Sequence, residues 1–275
     1  MTFINISGYR FINLTNLEEL KLQLESFCQN QALKGTILLG AEGINAFLSG
    51  SRSMIDAFYA FLPTVGFPDM AFKESESHVC PFKYMRVKIK KEIVTMGVFD
   101  LDLEKNHAPA LSAQMFKQWL EEGKDMIVLD TRNDYEVQLG TFTNAIHLDI
   151  KNFRAFPKAC EQIAHLKNKT IVTFCTGGIR CEKAAPYLVS QGFTDVYQLD
   201  GGILKYLEEF NNAHFEGECF VFDKRIAVDT QLAQTHTVQC HNCRHPVSEQ
   251  DQHSEYYVEG KSCRNCYHHE SFSPL

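Results

Sequence analysis

A five-residue apolar run, TIVTF at 170–174, passes directly into CTGGIR at 175–180 and then into CEKAAPYLVSQ, whose apolar residues recur at helical spacing. This hand-over constrains the fold more than any other stretch. A short continuous apolar run reads as a strand buried on both faces, and parallel strands need crossovers long enough to hold a helix. The same alternation surrounds it. MIVLD, AIHLD and DVYQLDGG are further short apolar runs, and LSAQMFKQWLEEG, FRAFPKACEQIAHL and GILKYLEEF read as helices. Strands alternating with helices predict a parallel sheet covered on both faces over residues 109–213. Ligands of such sheets sit beyond the carboxyl ends of the strands, where Cys175 stands immediately after TIVTF.

The loop has the composition of a reactive site. A thiolate is the reactive form of cysteine, and its surroundings set how much of it is present. Gly177 and Gly178 carry no side chains, so the N–H groups of Thr176, Gly177, Gly178 and Ile179 can converge as an anion nest at a helix N-terminus. Arg180 adds a fixed positive charge. These features predict a stabilised thiolate on Cys175, or an anion carried on its sulfur. Cys181 either resolves an oxidised or persulfidated Cys175 or opens the helix as a small core thiol.

With 275 residues and a hydrophobic fraction of 44 %, the chain has room for two or three domains with proper cores. Residues 1–97 read β-α-β-β-α-β, the split pattern of a ferredoxin-like α+β domain. Its strands are FINIS, KGTILLG, INAFLSG, AFKESES and YMRVKIKKEIV. Its helices are the Leu17, Leu20, Leu24, Phe27 stretch and SRSMIDAFYAFL, the latter opened by a serine cap. Residues 98–108 have linker character. Residues 214–275 start with a short β-like piece, GECFVFDKRIAV, and then become rich in Cys, His, Gln and Ser and poor in aliphatics. A segment of that composition buries little core and needs another source of order.

Four of the ten cysteines supply one. Cys240-x-x-Cys243 and Cys263-x-x-Cys266 are nineteen residues apart, a spacing that brings four thiolates to one tetrahedral structural zinc. Surface thiol pairs or a redox disulfide are the plainer alternatives. His241, His245, His268 and His269 are candidate substitutes for a cysteine ligand. His147 and Asp149 have the types of an iron site, but no third ligand is fixed by spacing. No G-x-G-x-x-G or Walker loop occurs, so no nucleotide or flavin cofactor is signalled. No secretory signal or membrane-length apolar run is present, and reduced thiols suit a cytoplasmic protein.

The net charge of −7 gives no general case for a polyanionic partner. A local case exists. Arg86, Lys88 and Lys90 alternate with Val87 and Ile89, which on a strand puts three cations on one face. That face is either simply solvated or a phosphate contact. Lys183 and Lys205, in helices that start near the loop mouth, are weaker candidates.

CTGGIR resembles the active-site loop of rhodanese domains, in which the cysteine opens a six-residue loop and carries a persulfide. DTRNDYE with GTFTNAIHLDI, and YQLDGGILKYL, resemble that family's first conserved block and its usual ending. The longer string CTGGIRCEKA, with LLGAEGINAFLSG and RVKIKKEIV upstream and FVFDKR and the paired CxxC motifs downstream, resembles the bacterial rhodanese-domain tRNA uridine hydroxylases. The resemblance implies an enzyme that uses molecular oxygen to make 5-hydroxyuridine at the anticodon wobble position. Cys175 would be the catalytic residue and tRNA the substrate, with contact through Arg86, Lys88, Lys90 and Lys183. The electron donor is left open. A plain sulfurtransferase working through a Cys175 persulfide and a non-catalytic tRNA-binding or redox-sensing module are the alternatives.

Overall fold

The computed structural model describes residues 2–99, 101–102, 106 and 108–267. The chain divides into two compact units, Met1–Gly97 and Val98–Leu275. The cysteine-rich segment belongs to the second unit.

In the first unit the strands are β1 (Phe3–Phe11), β2 (Lys34–Gly40), β3 (Gly43–Gly50), β4 (Lys73–Ser77) and β5 (Met85–Ile89). The helices are α1 (Leu17–Asn30) and α2 (Arg52–Phe61). The sheet order is β4-β1-β3-β2-β5, antiparallel except that β5 runs parallel to β2. Period-two alternation turns Ile4, Ile6, Ile37, Leu39, Ile44, Ala46, Leu48 and Val87 to one face. There they pack against Leu20, Leu24 and Cys28 of α1 and Ile55 and Phe58 of α2. Ser51 caps α2 by accepting from the N–H of Met54 at 3.4 Å. β5 is shorter than YMRVKIKKEIV predicts. Lys90 lies just past its end, although its N–H still donates to the Leu39 carbonyl at 2.7 Å.

The second unit holds a five-stranded parallel sheet: β6 (Ala110–Leu111), β7 (Met126–Asp130), β9 (Ile146–His147), β10 (Thr170–Phe174) and β11 (Asp195–Leu199), in the order β6-β11-β10-β7-β9. β10 occupies the centre, as its unbroken apolar sequence requires. The crossovers carry α3 (Ala113–Glu121), α4 (Asp134–Val137), α5 (Phe156–Ala159) and α6 (Cys181–Ser190), and α7 (Gly202–Phe210) follows the last strand. Ser112 caps α3, accepting from the Met115 N–H at 3.1 Å, and Gly123 follows its end with a left-handed φ of 65°.

The single helix expected over FRAFPKACEQIAHL is instead three pieces, a 3-10 turn at Phe153–Ala155, α5, and a 3-10 helix at Cys160–Leu166. Pro157 has no N–H to give an α-helical bond, so the first turn cannot run on as α-helix. Beyond the sheet, β8 (Gly140–Phe142) pairs with β12 (Phe215–Gly217). Two further small hairpins join β13 (Cys219–Phe220) to β14 (Ala227–Val228) and β15 (Val238–Gln239) to β16 (Pro246–Val247).

Candidate active site and four-cysteine cluster

Cys175 follows β10 at the carboxyl edge of the parallel sheet, fully buried. The Gly178 N–H donates to its Sγ at 3.1 Å, and the Arg180 N–H also faces the sulfur. Gly178 reaches this geometry with φ of 98°, a left-handed value that favours glycine. The Cys181 thiol bonds to Cys175 from the first residue of α6 and itself meets the Thr131 and Thr173 hydroxyls. Burial pushes the Cys175 thiol up. The Cys181 S–H, the Arg180 charge and the two backbone N–H groups outweigh it and hold Cys175 well below the ordinary value of 9.0. Cys181 is pushed well above 9.0 by its own burial and by the neighbouring thiolate. Cys181 is thus the protonated donor of the pair and Cys175 the acceptor.

The start of α7 packs against the loop. Ile203 and Leu204 donate their N–H groups to the carbonyls of Cys175 and Thr176 at 2.9 and 3.0 Å. A Cβ on Gly202, whose φ is 65°, would lie 2.3 Å from the Cys175 carbonyl oxygen and 2.8 Å from the Gly178 nitrogen. Backbone therefore has to approach backbone here, which explains the second glycine of YQLDGG, while the first, Gly201, has a left-handed φ of 68°.

Arg180 does more than lend charge. Its guanidinium is bidentate to Glu136, at 2.6 and 2.7 Å, and its second nitrogen reaches Thr176 Oγ1 at 3.4 Å. Glu136 is fully buried in α4, and its carboxylate also accepts from the Asn133 N–H at 3.2 Å. Reading the sequence for loop chemistry misses Glu136. Its visible signal is N-D-Y-E, a capping box with Asn133 as cap. A second buried pair stiffens the neighbouring strand end: Arg132 holds Asp130 at 2.7 Å and the Gly140 carbonyl at 2.6 Å.

Other expected residues land elsewhere. Lys183 is a correction. It is only 2 % exposed, on a helix that also buries Cys181, Ala184 and Leu188 on its other side, so it offers no ammonium to a phosphate from solution. Lys205 pairs with Asp200. His147 and Asp149 pair with each other at 3.2 Å, and no third ligand joins them among the described residues. Arg86, Lys88 and Lys90 are exposed on the edge strand β5 or just past it, while Val87 is buried. Charged side chains on an edge strand also discourage pairing with other chains.

Cys240, Cys243, Cys263 and Cys266 converge, their sulfurs all within 4.8 Å of one another. The short separations are 3.5 Å (Cys243–Cys263), 3.8 Å (Cys240–Cys266) and 3.9 Å (Cys263–Cys266). A tetrahedral ion with sulfurs about 2.3 Å away sets its ligands about 3.8 Å apart, so the cluster fits a metal of that kind. His245 stays outside the cluster, its Nδ1 against Asn265 at 3.1 Å. His241 is exposed, and His268 and His269 lie outside the described residues.

The thiol pair yields a spectroscopic expectation. The ultraviolet thiolate absorbance lost in Cys175→Ser should titrate with a midpoint well below 9.0. Removing the S–H donor with Cys181→Ala should move that midpoint upward, because less then favours the charged form. An unshifted midpoint would remove Cys181 from the thiolate's support.

Two family models match. Residues 3–93 match the UPF0176 acylphosphatase like domain, and residues 112–209 match the Rhodanese-like domain. The chain is 47 % identical over 273 residues to the tRNA uridine(34) hydroxylase of Cupriavidus necator, covering 97 % of each chain. It is 46 % identical to the protein of the same name from Burkholderia thailandensis, covering 97 % of this chain and 94 % of the other. At that identity over nearly the full length of both partners, the chain belongs to the tRNA uridine(34) hydroxylase family.

Proposed function

We propose that this chain hydroxylates uridine 34 of tRNA, at C5 of the base, with Cys175 as the reacting thiol. The observation that carries the reading is the similarity over 97 % of both chains to a tRNA uridine(34) hydroxylase, joined to an intact CTGGIR loop whose sulfur is ringed by donors. A thiolate at Cys175 adds to C6 of the uracil, and the electron pair it displaces makes C5 nucleophilic toward oxygen. Loss of the C5 proton and expulsion of the thiolate restore the ring. The N–H groups of Gly178 and Arg180 stabilise the thiolate before attack and after release. Insertion of one oxygen atom from molecular oxygen leaves the other to form water, which takes two electrons and two protons from a donor. A tRNA substrate makes the cytoplasm the site of action.

Mass spectrometry of wobble nucleosides tests this reading. A deletion strain should lack 5-hydroxyuridine and its derivatives, and wild-type protein should restore them only in the presence of oxygen. Cys175→Ala should restore none while folding normally. Full restoration by Cys175→Ala would remove the loop from the chemistry. Activity with a sulfane-sulfur donor and no change in the nucleosides would instead favour sulfur transfer through a Cys175 persulfide.

The four cysteines are best read as a structural zinc site. A closed set of four thiolates leaves no open position for a substrate, and an ion there orders a segment with little core of its own. Purified protein should carry about one zinc per chain. Cys240→Ala or Cys263→Ala should lose it and make the segment after 236 more sensitive to protease, whereas metal-free wild-type protein would count against the site.

The Arg86, Lys88 and Lys90 face supports a phosphate contact. Three cations two residues apart on an extended chain span about 13 Å, enough for two or three successive phosphates. Such contacts position RNA without reading bases. Neutralising all three should weaken binding of every tRNA substrate alike and flatten the salt dependence of affinity. An unchanged salt slope in filter binding would leave the face merely solvated.

A further inference from the structure

Resting on the reading of Cys175 as a uridine-modifying centre, we propose that Phe222 is the platform on which an unpaired RNA base stacks as it enters the Cys175 loop. Phe222 stands in the turn between β13 and β14. The turn is closed without it, by Val221 N–H to the Ile226 carbonyl at 2.9 Å, Ile226 N–H to the Asp223 carbonyl at 3.1 Å, and an Arg225–Asp223 pair at 2.6 Å. Yet Phe222 is 52 % exposed, while Phe220, two residues earlier, is buried. An exposed aromatic side chain that its own turn does not need is available for a ligand.

Its surroundings identify the ligand. The hairpin lies on the catalytic loop, with the Phe220 carbonyl accepting from Thr176 Oγ1 at 3.4 Å. The Phe222 ring meets Phe220 edge-on, with centroids 5.1 Å apart and planes at 81°. The Arg180 guanidinium lies 5.7 Å from the Phe222 ring centroid. Arg180 is also the residue whose N–H faces the Cys175 sulfur. One residue therefore links the exposed ring to the reacting atom. Single-stranded RNA is bound through bases stacked on aromatic side chains, and a base that undergoes chemistry leaves its own stack and needs a replacement partner. An aromatic face suits any base, so the ring supplies affinity and placement, and the choice of uridine stays with the loop.

The probe is an anticodon stem-loop RNA, unmodified for kinetics and with 5-iodouridine at the target position for photocrosslinking. The crosslinked peptide should contain Phe222. Phe222→Ala should raise KM for the unmodified stem-loop about 5- to 150-fold, the loss of one base–aromatic stack, with kcat changed less. Phe222→Tyr should keep KM near the wild-type value. Zinc content and the Cys175 thiolate titration should be unchanged in both variants, which a merely structural loss would not leave intact. An unchanged KM in Phe222→Ala, or a crosslink mapped elsewhere, overturns the stacking role. If wild-type protein hydroxylates the stem-loop while either of these holds, the proposed function stands and only the platform is lost. If wild-type protein neither binds nor modifies the stem-loop, the function falls and the platform with it.

Discussion

The buried pair of Arg180 and Glu136 ties the site together. Arg180 closes the Cys175 loop, and Glu136 comes from a short helix in a different crossover. Taking both charges out of water is costly, and the bidentate geometry, the Asn133 N–H and the Thr176 hydroxyl supply what offsets it. Removing either partner would strand the other as a buried charge, a loss of about 3–5 kcal/mol. Much of the positive charge of Arg180 is already committed to Glu136, so the thiolate at Cys175 draws heavily on the Cys181 S–H and on backbone N–H groups as well.

That arrangement would suit the proposed role of Cys175, forming and breaking a bond to carbon. Donors fixed by the backbone need no reorganisation when charge appears or disappears on the sulfur. The close packing of Gly202 against the Cys175 carbonyl also fixes the loop, through backbone. The thiol is thereby held between α6 and α7, both of which begin at the carboxyl edge of the sheet. The hairpin that follows the sheet domain adds Phe220 and Phe222 to the same neighbourhood, so the segment between the parallel sheet and the cysteine cluster has a place at the site.

The two units differ in how they are made stable. The first has a continuous aliphatic core between one sheet face and two amphipathic helices. The last part of the second has a core of only a few residues, with Cys240, Val247 and Cys263 buried and Val238 and Tyr257 packed against them. The four cysteines that converge there could hold a metal, and such an ion would replace the burial that an aliphatic core provides elsewhere.

Much of this was legible in the sequence because it is local. Apolar runs and helical spacing marked the parallel sheet and its crossovers, the 3.6- and 2-residue periods marked the α+β unit, and the CxxC spacing marked the cluster, since each depends on residues close along the chain. The role of Glu136 was not legible. It lies 44 residues from Arg180, and only the crossover back to the neighbouring strand brings the two together. Lys183 was misread for a related reason: the sequence shows that it follows the loop, but α6 is buried on more than one side, and that covering is set by what packs on it. Likewise the sequence placed FVFDKR somewhere after the sheet, and only tertiary packing put its second phenylalanine over the arginine of the catalytic loop. Local chemistry thus determined which groups this chain possesses, and the long-range closure of the fold decided which of them meet.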